Sequence, residues 1–129
     1  MAERLAADAP HLPRPALIDA YGNGGFRFAG MSHRGSLLCL PDGIWAWPVM
    51  EMAGLTETGL ARVFGQIGKL DVFLIGAGRD LWHLPEQLRA RFREMSISVD
   101  AMATGAAVRT YNILLAENRR VGAGLIAVE

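Results

Sequence analysis

The sequence predicts one α/β domain with a β-rich N-terminal half, followed by helices and strands that alternate along the chain. Two observations predict this class. Short strand-like segments and glycine-rich turns fill the first half, whereas the second half alternates buried apolar runs with stretches of helical periodicity. With 129 residues, 51% of them hydrophobic and 20% charged, the chain is long and apolar enough to bury one compact core.

The N-terminal half is predicted to consist of strands joined by tight turns. Residues 1–14 show little periodicity, and we expect a flexible arm there, ahead of a single domain over residues 15–129. Gly22, Gly24 and Gly25 precede a short alternating strand over residues 26–28. Residues 36–40 and 44–48 are predicted to pair as a hairpin, because a Pro-Asp-Gly turn separates them.

The C-terminal half is predicted to alternate helix and strand. A helix is expected over residues 56–68 and another from Pro85, each followed by a strand, at residues 72–75 and 97–101. The longest helix is predicted over residues 104–118, before a closing strand over residues 121–128. Right-handed crossovers between parallel strands would bring the carboxyl ends of strands 72–75 and 97–101 together.

The turn Gly76-Ala77-Gly78 directly follows a predicted buried strand, which raises the question of a ligand site at the carboxyl ends of the two strands. The dinucleotide fingerprint is incomplete, because it needs a third glycine where this chain has Leu81, although Asp100 matches the ribose-binding acid. We expect a crevice that suits a small anion, a carbonyl or a partner loop. The alternative is a turn that needs glycine only for its backbone angles. The residues predicted to border the crevice are Gly76, Gly78, Thr104, Gly105, Arg109 and Asn112.

No catalytic machinery, cofactor motif or metal site is recognisable in the sequence. His11, His33 and His83 are far apart in sequence, with no second ligand at metal-binding spacing. Cys39 is the only cysteine, and its apolar neighbours predict that it packs in the core. We therefore expect no catalytic residue, no cofactor and no metal, and an enzyme of unknown reaction is the less favoured alternative.

Charge and hydropathy narrow the class of partner. Thirteen Lys and Arg residues balance thirteen Asp and Glu residues, so the net charge gives no reason to expect a nucleic acid partner. No apolar run approaches the length of about 18 residues that a membrane span needs, and the N-terminus lacks a signal pattern. We expect a cytoplasmic protein without membrane insertion.

Trp45 and Trp47 share one face of a predicted strand, because alternate residues point the same way. They either cover the core against a helix or form an exposed aromatic patch. Such a patch would be a candidate interface for a protein partner or for a second copy of the chain in a homo-oligomer. Burial of both rings would remove this candidate interface.

Four motifs, in this order along the chain, resemble a known family. The family consists of small uncharacterised proteins and includes a mitochondrial respiratory complex I assembly factor and an adipogenesis-associated protein. The resemblance implies a three-layer α/β domain with a mixed sheet. It also favours a binding or assembly protein that assists assembly of a larger respiratory complex. A small-ligand binder and an enzyme are the less favoured alternatives. The motifs are Tyr21-Gly22-Asn23-Gly24-Gly25-Phe26-Arg27, Leu40-Pro41-Asp42-Gly43, Leu74-Ile75-Gly76-Ala77-Gly78, and Thr104-Gly105-Ala106-Ala107-Val108-Arg109-Thr110-Tyr111-Asn112 with Glu117-Asn118-Arg119-Arg120-Val121.

Three positions depart from the pattern of that family, and one of them is Asn23, which replaces a frequent proline in the glycine-rich turn. Ala103 stands where relatives often have an acid, and Val108 stands where a cysteine is common in bacterial members. If that acid were catalytic in relatives, this chain would lack it.

Overall fold

The computed structural model describes residues 9–80 and 82–129. Residues 1–8 of the predicted arm, together with Leu81, lie outside the described residues. Leu12 forms an isolated antiparallel bridge with Ile44. The Ile44 N–H donates to the Leu12 carbonyl at 2.9 Å, and the His11 N–H donates to the Ile44 carbonyl at 2.7 Å. The part of the arm around Leu12 is therefore held against the domain.

The described residues form eight strands and three α-helices, and two short 3-10 turns, Met52–Gly54 and Thr58–Leu60, precede the first helix. Within this part of the chain, no helix combines the length and apolarity needed to cross a membrane. The strands are β1 (Ala20–Gly22), β2 (Gly25–Phe28), β3 (Met31–Arg34), β4 (Leu37–Leu40), β5 (Gly43–Ala46), β6 (Val72–Gly76), β7 (Ser98–Met102) and β8 (Val121–Leu125). The helices are α1 (Ala61–Phe64), α2 (Glu86–Glu94) and α3 (Thr104–Ala116).

The strands form two sheets. Strands β1, β2 and β3 make a small antiparallel sheet, and the other five make a mixed sheet in the order β5-β4-β8-β6-β7. Strand β6 lies between β8 and β7 and runs parallel to both, whereas β4 runs antiparallel to β5 and to β8. The predicted α/β class is confirmed, including the β-rich first half and the mixed sheet.

The mixed sheet is covered on both faces, which gives three layers. Because successive side chains of a strand point to opposite faces, Phe73 and Leu74 of β6 enter different cores. Phe73 stacks on Phe92 of α2, with ring centroids 5.7 Å apart, and α1 packs in the same core. Leu74 lies in the other core with Tyr111 of α3 and with Phe28 of the small sheet.

Several elements differ from the sequence prediction. The helix expected over residues 56–68 is shorter: Thr58–Leu60 is a 3-10 turn and the α-helix ends at Phe64, although Gly68 does have the positive φ of 82° that is typical of a helix end. Ile67 was expected on the apolar side of that helix, but its side chain is 55% exposed. Strands β1 and β3 were not predicted, since their residues are half-buried or exposed and show no strong apolar pattern.

Candidate functional site

The glycine turn after β6 lies directly against the start of α3. Because β6 and β7 are parallel neighbours, their carboxyl ends meet at one edge of the sheet. The Gly78 N–H donates to Thr104 Oγ1 at 3.0 Å, and the Thr104 N–H donates to the Gly78 carbonyl at 2.9 Å. The structure thus brings together two segments that lie 26 residues apart along the chain.

This contact is closed and internally satisfied. Thr104 is fully buried, and its hydroxyl also donates to the Ile126 carbonyl at 2.8 Å. The Ile126 N–H in turn donates to the Gly76 carbonyl at 2.9 Å. A Cβ on Gly76 would lie only 3.1 Å from Thr104 Cα, so glycine lets the two segments approach closely without pushing the start of α3 away. We call Gly76, Gly78, Thr104 and Ile126 the β6–α3 joint, and its polar groups are bonded to one another.

The remaining predicted site residues lie further along α3. The Asn112 side chain forms two hydrogen bonds with the backbone of Ile18. The Ile18 N–H donates to Asn112 Oδ1 at 2.8 Å, and Asn112 Nδ2 donates to the Ile18 carbonyl at 2.9 Å. The Tyr21 ring lies over Gly105, where an added Cβ would approach Tyr21 Cζ to 2.9 Å. Arg109 is exposed. Gly105 and Asn112 therefore contact Tyr21 and Ile18 of the N-terminal half, and Arg109 lies between them along α3.

A cavity of about 240 Å³ does lie at the carboxyl ends of β6 and β7. It occurs where the chain leaves two neighbouring strands toward opposite faces of the sheet, to α2 after β6 and to α3 after β7. Such switch points are where open α/β sheets usually bind ligands. The lining residues are Arg79, Asp80, Trp82, Ala101, Met102 and Ala103.

The six predicted site residues are not among those that line this cavity, so the expectation that they surround it needs correction. The glycine turn was correctly assigned to this edge, but the glycines pack inward against Thr104. Side chains of the following loop, beginning with Arg79, face the cavity instead. The sequence signal for this loop was its charge, since Arg79 and Asp80 directly follow the glycine turn.

The buried nucleophilic groups near α3 are not activated. Burial raises the pKa of the Cys39 thiol to about 12, so the thiol stays protonated at neutral pH. Burial likewise raises the pKa of the Tyr111 hydroxyl, which donates to the Ala16 carbonyl at 3.0 Å. Cys39 lies in the core, as its apolar neighbours predicted. Both groups therefore act in packing and in anchoring the segment before β1.

A pair of histidines was missed because its members are distant in sequence. His11 Nε2 and His33 Nδ1 lie 3.0 Å apart, and the other ring nitrogen of His33 is 2.9 Å from the Ser36 carbonyl. Burial is the main cause that lowers the pKa of His33, with a further contribution from His11. Within residues 9–80 and 82–129, no three His, Cys, Asp or Glu side chains are grouped to hold a metal ion.

Trp45 and Trp47 are core residues, which corrects the exposed-patch alternative. They are 5% and 4% exposed, and both pack on the face of the sheet that α1 and α2 cover. The Trp47 Nε1–H donates to the Gly59 carbonyl at 2.9 Å, which fixes that ring. The two indoles therefore do not form the exposed interface that was considered.

Exposed apolar side chains are found instead along the outer side of α3. Ile113 is 59% exposed and follows Arg109 by one turn, on the same side of the helix. Tyr21, 42% exposed, covers Gly105 one turn before Arg109. Leu17, 45% exposed, lies between Ala16 and Ile18, which are bonded to α3. We call Leu17, Tyr21, Arg109 and Ile113 the α3 face.

Comparison with known proteins confirms the family resemblance. A family described as "Protein of unknown function (DUF498/DUF598)" matches residues 18–126. An uncharacterised protein of Rhodobacter capsulatus is 40% identical over 126 residues, which cover 98% of this chain and 93% of that protein. A crystal structure described as an outer membrane protein from Bartonella henselae shares 53% identity with a TM-score of 0.88, covering 92% of this chain and all of that one.

A more distant relative has a named role. It is NADH dehydrogenase [ubiquinone] 1 alpha subcomplex assembly factor 3 of Drosophila melanogaster, 30% identical over 115 residues. The match covers 85% of this chain but only 58% of the fly protein. The similarity therefore shows a shared domain.

Proposed function

The chain belongs to the DUF498/DUF598 family of proteins of unknown function, and we propose that it is an assembly-type protein that binds another protein through the α3 face. The observation that carries this proposal is the row of exposed Tyr21, Arg109 and Ile113 along α3, with Leu17 on the segment that α3 anchors. Single exposed apolar residues are ordinary, but several on one rigid surface are typical of an interaction site.

The α3 face is preorganised, which favours binding. Asn112 holds Ile18 through two hydrogen bonds, and Tyr111 holds Ala16 through one, so Leu17 is fixed beside the helix. Arg109 forms no ion pair with any residue in the described part of the chain. The face therefore suits a partner surface with apolar side chains around an acidic group.

The assembly role is supported by the fly relative, whose name describes an assembly factor of NADH dehydrogenase. By analogy, the partner is a subunit or intermediate of a larger respiratory complex, and the α3 face would hold it during assembly. A cytoplasmic location, expected from the sequence, is part of the same proposal. The carried-over role is the coarse one of protein binding, since the fly protein is much longer than the shared domain.

The test compares two exposed isoleucines. Tagged wild type, Ile113→Gln and the control Ile67→Gln are each used to capture proteins from their native cells, and the captured proteins are quantified by mass spectrometry. Ile113 and Ile67 are similarly exposed, at 59% and 55%, but only Ile113 lies on the α3 face. We expect Ile113→Gln to lose proteins that wild type and Ile67→Gln retain.

Two results would count against the proposal. One is the same set of captured proteins for all three chains. The other is a dimer of the chain that Ile113→Gln dissociates in analytical ultracentrifugation, because a second copy would then occupy the α3 face.

A second candidate function is binding of a small anion at the switch-point cavity. It is favoured by the place of that cavity at the carboxyl ends of β6 and β7, with Arg79 on its wall and the start of α3 beside it. Titration with inorganic phosphate, against chloride at equal ionic strength, should shift the amide resonances of Met102 and Ala103 saturably. Equal shifts with both salts would leave no specific anion site there.

A further inference from the structure

A second, larger cavity lies on the opposite side of the sheet from α3. Its volume is about 540 Å³, within the range of small-molecule sites. Leu38 and Trp45 of the mixed sheet line it together with Trp47, which follows β5, and with Met50 and with Arg62 of α1. We call this cavity the Trp45 groove.

The charges on the wall have one sign. Arg34 and Arg62 line the groove together with His33, and no Asp or Glu is found among the described residues that line it. Neither arginine forms an ion pair within the described part of the chain. The Arg62 guanidinium lies over the Trp45 ring, 4.5 Å from its centroid, which places a cation directly above the apolar wall.

One hydrogen-bond donor on this wall is unsatisfied. The Trp45 Nε1–H is buried and has no partner within the described chain, whereas the Trp47 Nε1–H is bonded to Gly59. Buried donors are normally paired, so this unpaired indole N–H is an exception in the packing beneath the groove wall. Met50, 79% exposed, offers a flexible apolar side chain that can adapt to a bound molecule.

We propose that the Trp45 groove binds a small organic carboxylate with an apolar body, with the carboxylate at Arg62 and the body against Pro48 and Met50, the exposed apolar side chains of the wall beside Trp45 and Trp47. Charge favours a carboxylate over a neutral molecule, because a carboxylate can form a charge-assisted hydrogen bond with Arg62 and a neutral apolar molecule cannot. The proposal does not depend on the α3 face, which lies across the sheet.

The test uses two probes of nearly equal shape. The ¹⁵N-labelled chain is titrated with 1-naphthoate and with the uncharged 1-naphthamide. The three tryptophans give three indole N–H signals, assigned with Trp45→Phe and Trp82→Phe. We expect 1-naphthoate to shift the Trp45 and Trp47 signals saturably and more than that of Trp82, and 1-naphthamide to bind about fivefold more weakly.

A matched pair of arginine variants then tests whether the Arg62 charge binds the carboxylate. Arg62→Gln should weaken 1-naphthoate about fivefold and leave 1-naphthamide unchanged, whereas Arg27→Gln, on the exposed side of β2, should change neither. Equal affinity for the two probes would overturn the proposal, as would shifts centred on Met102 and Ala103. It is also wrong if an acidic peptide shifts the groove signals while 1-naphthoate does not.

Discussion

The β6–α3 joint and the α3 face are neighbours on one helix, but they differ in what their polar and apolar groups do. In the joint, the Thr104 hydroxyl binds both Gly78 and Ile126, and the backbone groups of Gly76 and Gly78 are also engaged. Along the α3 face, Ile113 is mostly exposed, and Arg109 makes no ion pair with a described residue.

This difference gives the two regions different roles, because the joint holds the fold together and the α3 face is left to bind a partner. A glycine turn beside a helix start resembles an anion site in sequence, but here its donors hold the fold together. Binding capacity lies where groups are left without internal partners. The comparison predicts that changes in the joint cost stability, and that changes outside it affect stability much less.

The largest effect is expected from Thr104→Val. The change keeps the side-chain shape but removes the hydroxyl, so the part-buried Gly78 N–H and the buried Ile126 carbonyl both lose their partner. We expect the free energy of unfolding to fall by about 3 kcal/mol, measured by denaturant unfolding. The control is Thr110→Val on the same helix, whose hydroxyl has only a weak contact, 3.8 Å, with the Met102 sulfur. A loss as small as that of the control would mean that the joint is not structural.

A smaller loss is expected from Gly78→Ala. Gly78 has a φ of 92°, a backbone conformation that side chains rarely adopt, although the space around it is open. We expect a loss of about 1–2 kcal/mol in the free energy of unfolding. The same change at Gly54, which has open space and no positive φ, should be nearly neutral. Equal losses at the two positions would show that the turn is not constrained.

Added stability is expected from a change at Ala103, one residue before Thr104 of the joint. Ala103 is the exposed N-cap of α3 and makes no side-chain capping bond, so Ala103→Asp should supply an acceptor for the first turn. We expect about 1 kcal/mol of added stability in thermal unfolding, whereas Ala103→Leu should give none. If Asp and Leu behave alike, the first turn of α3 is satisfied in another way.

The smallest effect concerns pH. The joint contains no titrating side chain, so the pH dependence must come from groups such as His33. Its pKa is lower in the folded chain than the usual 6.5, chiefly because of burial. Below about pH 6.5 the unfolded state therefore binds the proton more readily, and stability falls until the pH reaches the folded pKa. Thermal unfolding from pH 7.5 to 5 should show a shallower decline for His33→Gln than for wild type; identical slopes would contradict this.

The sequence predicted the elements that local patterns encode. The apolar run of β6 and the helical period of α3 were recognised, and α3 begins at Thr104 as expected. The contacts that decide the site join distant segments: Asn112 binds Ile18 across 94 residues, and His11 meets His33. Such side-chain pairings leave no spacing pattern, because they depend on how the two sheets pack. The same limit explains why the sequence left open whether Trp45 is buried, which the structure shows.

Amide hydrogen exchange tests the contrast between the joint and its surroundings most directly. The Gly78 N–H is bonded to the Thr104 hydroxyl and the Thr104 N–H to the Gly78 carbonyl, so we expect both amides to exchange as slowly as those of strand β6, which is paired on both sides. That protection should persist in the isolated chain, with no ligand added. Exchange of these two amides at the rate of an exposed turn would contradict the account, because the glycine turn would then be open to a ligand.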